Sequence, residues 1–114
     1  MQTQFRVEVQ ERGQGTVIAL SGELDLASGA ALEEAFERVF ASDTNLVVID
    51  LRGLEFMDST GLSIIVKAHQ TVEDRDLRLY VVNGPPQVQR LLSLTGVAER
   101  VSLIDAPEEV LGEG

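Results

Sequence analysis

Apolar and polar residues alternate along the first ten positions, which is the pattern of a strand with one buried face. The apolar members of this segment are Phe5, Val7 and Val9. The glycine-containing segment 12–15 predicts a turn. Residues 16–20 predict a second strand that ends at Ser21-Gly22, so the two strands are expected to form a β-hairpin.

Helical spacing follows in three places. In the first, Asp25 or Ser28 is a candidate N-cap, and the apolar residues that recur every three or four positions are Leu32, Ala35, Phe36, Val39 and Phe40. A second helix is predicted over residues 60–75, with Leu62, Ile65, Val66 and His69 on one face. A third begins near Pro85-Pro86 and is stopped by Gly96.

Short runs rich in β-branched residues separate these helices. Residues 46–49 form a continuous apolar run, as in a parallel strand covered on both faces. Residues 50–58 are predicted to be a connecting loop. Further strands are predicted over 77–82 and 101–104, and Pro107 opens a short acidic helix over 108–111. A hairpin followed by alternating helices and strands indicates a mixed sheet with helices packed on it.

Charge and composition exclude several classes of function. The formal net charge of −10 gives a surface that repels phosphate backbones and anionic lipid, so neither direct nucleic-acid binding nor membrane binding is expected. The chain has no cysteine, and its apolar runs fall far short of the about 18 residues of a membrane span. A cytoplasmic protein is predicted, and the spacing of its residues indicates neither a cofactor nor a metal site.

The segment 56–62 carries the most polar chemistry, between a buried strand and a helix. Asp58, Ser59 and Thr60 are all capable N-caps, and Gly61 allows close packing. One interpretation is therefore a simple helix cap. The other is a modification site at Ser59, because a phosphate there would add about 1.5 to 2 negative charges at the positive end of a helix dipole.

Two enzymatic interpretations are disfavoured. A nucleophilic Ser59 needs a positioned base, yet the one histidine, His69, lies ten residues further along the same predicted helix and on its apolar face. Asp50 ends a buried strand, where receiver domains carry a phosphoacceptor aspartate. The acidic pair that would bind Mg²⁺ beside it is missing from the first strands. The chain is therefore not expected to be an enzyme.

Four segments together resemble the bacterial anti-sigma factor antagonists, which are stand-alone STAS domains. These segments are Gly-Glu-Leu-Asp at 22–25, Val-Ile-Asp-Leu at 48–51, Phe-Met-Asp-Ser-Thr-Gly-Leu at 56–62 and Val-Gln-Arg-Leu-Leu-Ser-Leu-Thr-Gly-Val at 88–97. The resemblance implies a single STAS domain over residues 1–114. It also implies a mixed four- to five-stranded sheet that begins with a hairpin and carries about four helices, mostly on one face.

The resemblance also implies partner switching. The unphosphorylated antagonist would bind an anti-sigma factor that is a serine kinase and so release the sigma factor. The kinase would then phosphorylate Ser59 with ATP and end the binding, and a metal-dependent serine phosphatase would reverse the modification. Carried over by position, Ser59 is the phosphoacceptor, and the partner-binding residues are Asp25, Asp58, Ser59, Thr60 and Gly61.

An alternative within the same family is a STAS regulatory subunit of a lipid-transport, transporter or stress-signalling complex. In that case Ser59 would lie at a helix cap and no phosphoswitch would operate. A monomer is expected in either case, because the sequence shows no long exposed apolar stripe.

Overall fold

The computed structural model describes residues 4–111, which form five strands and five helices. The strands are β1 (Arg6–Arg12), β2 (Gly15–Leu24), β3 (Leu46–Met57), β4 (Arg78–Val82) and β5 (Ser102–Ile104). The helices are α1 (Gly29–Phe40), α2 (Ser59–Asp74), α3 (Pro86–Leu94), α4 (Val97–Arg100) and α5 (Glu108–Leu111).

The five strands form one sheet in the order β1-β2-β3-β4-β5. β1 and β2 are antiparallel and are joined by a two-residue turn, as predicted. The other three pairings are parallel, because helices carry the chain back across the sheet between successive strands. The predicted mixed sheet that begins with a hairpin is confirmed.

The helices are divided unequally between the two faces of the sheet. Alternate residues of a strand point to opposite faces, so Val47 and Ile49 lie in the main core with side chains from α1, α2, α3 and α4. Val48 points the other way and joins Val17 and Val82 in a smaller cluster under α5. Four helices therefore cover one face and a fifth, short helix covers part of the other.

Two of the predicted strand ends are wrong. β2 does not stop at Ser21-Gly22 but continues to Leu24. Residues 50–57 of the predicted loop 50–58 belong to β3, and Asp58 is the N-cap of α2. The two extensions pair with each other through two register shifts, and Gly22 accommodates one of them with a φ of +84°. Exposed polar residues and glycines on these extensions resemble a loop in sequence, although they are paired strands.

The buried face of α2 is also rotated slightly from the predicted one. Ile65 is buried as expected, but Leu62, Val66 and His69 are only half-buried. The buried residues of this helix are Gly61, Ile64, Ile65, Ala68 and Val72. A glycine and an alanine lie on the packed side, so hydrophobicity alone misplaces the contact face.

One ion pair connects the sheet with α5, and a second lies within β3. The guanidinium of Arg12 lies 2.7 Å from Glu108, and its hydrogen bond lowers the pKa of the Glu108 carboxyl. Arg52 donates to both carboxylate oxygens of Asp50, and this hydrogen bonding raises the pKa of Arg52 against the opposing effect of burial. Asp50 is thus held within β3 by an arginine and does not resemble an open receiver-type acceptor.

Helix α3 provides a matched test of the core. Leu92 is fully buried and Leu94, two residues later, is 75% exposed. We expect Leu92→Ala to lower the free energy of unfolding by about 2–5 kcal/mol, because it removes buried methyl groups and leaves a cavity. Leu94→Ala is expected to change it by less than about 0.5 kcal/mol. Urea denaturation of both variants measures the difference, and equal losses would contradict the packing of α3.

Candidate functional site

The carboxyl ends of the interior strands β2 and β3 lie side by side at one end of the sheet. Leu24 and Met57 are register partners and are the last residues of these two parallel strands. Asp25 and Asp58 follow them directly, so both residues lie at this carboxyl end of the sheet. The backbone N–H of Asp58 donates to the carbonyl of Leu24 at 3.1 Å, which fixes the start of α2 to the end of β2.

Asp58 is the N-cap of α2. Its backbone is extended, and its side-chain Oδ1 accepts hydrogen bonds from the N–H groups of Thr60 at 2.9 Å and Gly61 at 3.4 Å. These are two of the donors that the first turn of a helix leaves without an intrahelical acceptor. The carboxylate also lies at the positive end of the helix dipole.

Ser59 is the first residue of α2, and its side chain is exposed. Within residues 4–111 its hydroxyl makes no hydrogen bond, whereas its carbonyl accepts one from the hydroxyl of Ser63 at 2.9 Å. The capping role therefore belongs to Asp58. The Ser59 hydroxyl, by contrast, has no structural task within the described part of the chain.

Gly61 lets α2 approach the two strand ends closely. A Cβ atom at this position would lie 2.6 Å from Leu24 Cδ2 and 2.8 Å from Met57 Cγ, both inside van der Waals contact. Thr60, beside it, is half-buried and reaches towards α1, since a Cβ on Gly29 would lie 3.2 Å from its methyl group. Thr60 and Gly61 thus position Ser59 by packing.

Asp25 organises the turn before α1. Its Oδ1 accepts hydrogen bonds from the N–H groups of Ala27 at 3.1 Å and Ser28 at 3.2 Å, and from the Ser28 hydroxyl at 3.0 Å. Ser28 occupies the N-cap position, although its side chain makes no capping bond to the helix. Asp25 is half-buried at the same carboxyl end of the sheet as Ser59, and its side chain hydrogen-bonds only within its own turn in the described part of the chain.

Two exposed apolar side chains also lie at this carboxyl end of the sheet. The sequence did not identify them as functional candidates. Leu26 is 80% exposed and Phe56 is 47% exposed. Large exposed apolar groups next to a polar site are typical of protein contact surfaces. The sequence pattern gives no signal of their exposure, because Leu26 follows Leu24 and Phe56 follows Leu54 at the alternate spacing of strand residues with a buried face.

His69 does not form a catalytic pair with Ser59. Both lie on α2, about 15 Å apart along the helix axis by the rise per residue. The imidazole Nδ1 is instead 3.5 Å from the carboxylate of Glu73, one turn further on. His69 is thus a half-buried residue on the face of α2 and does not lie beside Ser59 as a general base would.

The five-stranded sheet and its helices are those of a known class of domain. The family model of the STAS domain matches residues 6–110. The chain therefore belongs to the STAS domain family.

Individual proteins that are similar to this chain are anti-sigma factor antagonists. The chain is 30% identical to the anti-sigma-F factor antagonist RsfB of Mycobacterium tuberculosis, over 92% of this chain and 85% of RsfB. The crystal structure of an anti-sigma factor antagonist from Mycobacterium paratuberculosis superposes with a TM-score of 0.87 and 28% identity, covering 93% of this chain and 90% of the other. The anti-sigma factor antagonist SpoIIAA in its unphosphorylated form superposes with a TM-score of 0.75 and 25% identity, covering 93% and 90%.

No helix within residues 4–111 has both the length and the apolar character needed to cross a membrane.

The cap at Asp58 gives a direct test of how the site is held. We expect Asp58→Ala to lower the free energy of unfolding by about 1 kcal/mol, because two N–H groups lose their acceptor. Asp74→Ala, at the other end of α2, removes a negative charge from the negative end of the dipole and is expected to be neutral or slightly stabilising. Thermal unfolding of both variants measures the effect. Equal destabilisation would show that Asp58 does not act as a cap.

Close packing at Gly61 gives a second test. Alanine favours a helix interior by about 1 kcal/mol over glycine. We nevertheless expect Gly61→Ala to destabilise the protein by about 1–3 kcal/mol, because the added methyl overlaps Leu24 and Met57. Gly29→Ala, whose methyl would meet side-chain ends at 3.1 and 3.2 Å, is the milder control. A more stable Gly61→Ala protein would disprove the close approach.

Proposed function

We propose that this protein is an anti-sigma factor antagonist whose partner is an anti-sigma factor with serine-kinase activity. The unphosphorylated chain binds that kinase and releases the sigma factor. Phosphorylation of Ser59 by the kinase, with ATP as donor, ends the binding, and a serine phosphatase restores it. The named relatives that support the proposal are anti-sigma factor antagonists, and one of them is known in a form described as unphosphorylated.

The observation that carries the proposal is the exposed Ser59 hydroxyl at the start of α2, with the cap supplied by its neighbour. An acceptor for a kinase must be reachable and must not be needed for folding. Ser59 meets both conditions, since Asp58 holds the helix end and the Ser59 side chain is exposed. Thr60, the other hydroxyl of this turn, is half-buried against α1.

A phosphate on Ser59 changes the surface more than the fold. The dipole of α2 favours an anion at this helix end. Asp58 already occupies the N–H groups of Thr60 and Gly61, however, so the phosphate cannot replace the cap without competing with a like charge. We expect the phosphate to project outward and stay hydrated, in contact with whatever surface covers Ser59.

The cost to a bound partner is large enough for a switch. Two like unit charges about 4 Å apart repel by about 4 kcal/mol near a protein surface. Each 1.4 kcal/mol weakens binding about tenfold. A phosphate that faces a partner carboxylate, or that loses its hydration in the interface, therefore reduces affinity by orders of magnitude without any refolding of this chain.

The contact surface that we assign to the partner surrounds Ser59. It comprises Asp25, Asp58 and Thr60, together with the exposed apolar side chains of Leu26 and Phe56. Gly61 is buried, so it contributes by packing α2 against the strand ends that present this surface. The two apolar groups lose exposed area in a complex, which favours association. The overall charge of −10 favours a partner with a basic surface, mainly through the rate of association.

Substitutions at Ser59 test the switch. We expect Ser59→Ala to retain the anti-sigma kinase in a pull-down from the host cell, because the hydroxyl is replaced without added charge. Ser59→Asp is expected to lose it. Once the kinase has been identified, calorimetric titration of the purified pair should show at least about a tenfold weaker Kd for Ser59→Asp than for Ser59→Ala.

Ser63 provides the matched control. It is exposed and lies one helical turn after Ser59 on α2, so Ser63→Asp adds the same charge beyond the start of the helix. We expect Ser63→Asp to bind with an affinity closer to that of the wild type. Equal binding by Ser59→Ala and Ser59→Asp, or an equal loss in Ser63→Asp, would overturn the assignment of Ser59 as the switch.

A further inference from the structure

Among residues 4–111, strand β1 has a neighbouring strand on one side only. The strand order places it at an end of the sheet, where β2 is its paired neighbour within residues 4–111. It is seven residues long, and most of its side chains are exposed. The free N–H and C=O groups along such an edge are a template for a further strand.

The turn geometry identifies which backbone groups face outward. Arg12 and Gly15 close a two-residue hairpin whose first turn residue, Gly13, has a φ of +58°. In such a hairpin the closing pair exchanges both hydrogen bonds, and hydrogen-bonded pairs alternate from there. The even-numbered residues of β1 therefore bond to β2. The groups of Phe5, Val7 and Val9 point away from the sheet.

β1 carries charged side chains, which usually discourage pairing at an edge, but it lacks several other features that protect an exposed edge. It contains neither proline nor lysine, and its pairing with β2 runs from Arg6↔Ser21 to Arg12↔Gly15 without a register shift. Its charges are of both signs, since Arg6 and Glu8 are two residues apart on the same face of the strand.

We propose that β1 is a self-association surface whose occupant is the β1 strand of a second copy of this chain, antiparallel and centred on Val7. In that register Val7 lies opposite its own counterpart. Arg6 of each copy lies opposite Glu8 of the other, and Phe5 opposite Val9. The two sheets then join into one continuous sheet.

Hydrogen bonding and charge support this register together. The odd-numbered residues that point outward become the hydrogen-bonded pairs, which gives about six backbone bonds across the seam. The Arg6–Glu8 pairs fall at the non-hydrogen-bonded positions, where side chains on opposite strands are closest. Val9, which is 42% exposed in the single chain, gains the side chain of Phe5 as a neighbour.

The neighbouring registers are less favourable. A pairing centred on Glu8 sets two glutamates against each other, and one centred on Val9 sets Arg6 against Arg12. Like charges directly opposite on adjacent strands are destabilising. A pairing centred on Gln10 satisfies Glu8 with Arg12 but sets Val9 against Glu11. It also requires Arg12, which already forms an ion pair with Glu108.

The resulting dimer carries two copies of the Ser59 site. Because a single strand seam buries less surface than a standard stable interface, the dimer is expected to be weak and dependent on protein concentration. The inference is independent of the proposed function, because it concerns the outer side of β1 and needs no other protein.

A charge exchange tests both the interface and its register. We expect sedimentation of the full-length wild-type chain to show a monomer–dimer equilibrium as concentration rises into the millimolar range. Arg6→Glu and Glu8→Arg, each alone, turn two attractive pairs into two repulsive ones and should raise the dimer Kd about tenfold or more. An equimolar mixture of the two variants restores both pairs and should dimerise again.

The controls separate pairing from net charge and from misfolding. Arg6→Glu makes the chain more acidic and Glu8→Arg makes it less acidic, so a general charge effect would move their Kd values in opposite directions. Glu11→Arg makes the same charge change as Glu8→Arg and should leave the Kd within about threefold of the wild type, because Glu11 lies beyond the paired segment. A wild-type chain that stays monomeric throughout, single variants that dimerise like the wild type, or a mixture that fails to dimerise would each overturn the proposal.

Discussion

The parallel pairing of β2 with β3 beyond the point where β4 ends is the constraint on which the site depends. β4 leaves the sheet ladder at the Asp50↔Val82 pair, while β2 and β3 remain paired to Leu24↔Met57. This two-stranded extension brings two chain reversals together, one leading into α1 and the other into α2. Without it, Asp25 and Asp58 would follow strand ends that have no fixed relation to each other.

At the carboxyl ends of β2 and β3, different neighbouring residues fix the start of α2. The N–H of Asp58 is bonded to Leu24, its carboxylate closes the first turn of α2, and Gly61 allows the helix to pack against both strand ends. These groups all belong to residues other than Ser59, whose hydroxyl makes no hydrogen bond within residues 4–111. A serine in this position can gain or lose a phosphate while the scaffold that presents it stays intact, which is the physical requirement for a switch based on surface chemistry.

Sequence patterns predicted the parts of this fold in which periodicity reports burial directly. The buried run at 46–49, the apolar stripe of α1 and the stop at Gly96, whose φ is +83°, are examples. The extensions of β2 and β3 were not predicted, because their pairing is set by tertiary register and their exposed residues read as a loop. Local chemistry and the resemblance both drew attention to Ser59, but residue type alone left the cap open among Asp58, Ser59 and Thr60. The hydrogen bonds of Asp58 decide it. The open edge of β1 and the exposure of Leu26 and Phe56 likewise depend on which strands become neighbours.

The central claim, that the phosphorylation state of Ser59 decides whether the chain is bound to its partner, is tested most directly on the native protein. The protein would be isolated from the host cell, separated into partner-bound and free fractions, and mapped for phosphate by mass spectrometry. The account predicts unmodified Ser59 in the bound fraction and phosphoserine at position 59 in the free fraction. The same occupancy of Ser59 in both fractions, or phosphate confined to other residues, would contradict it.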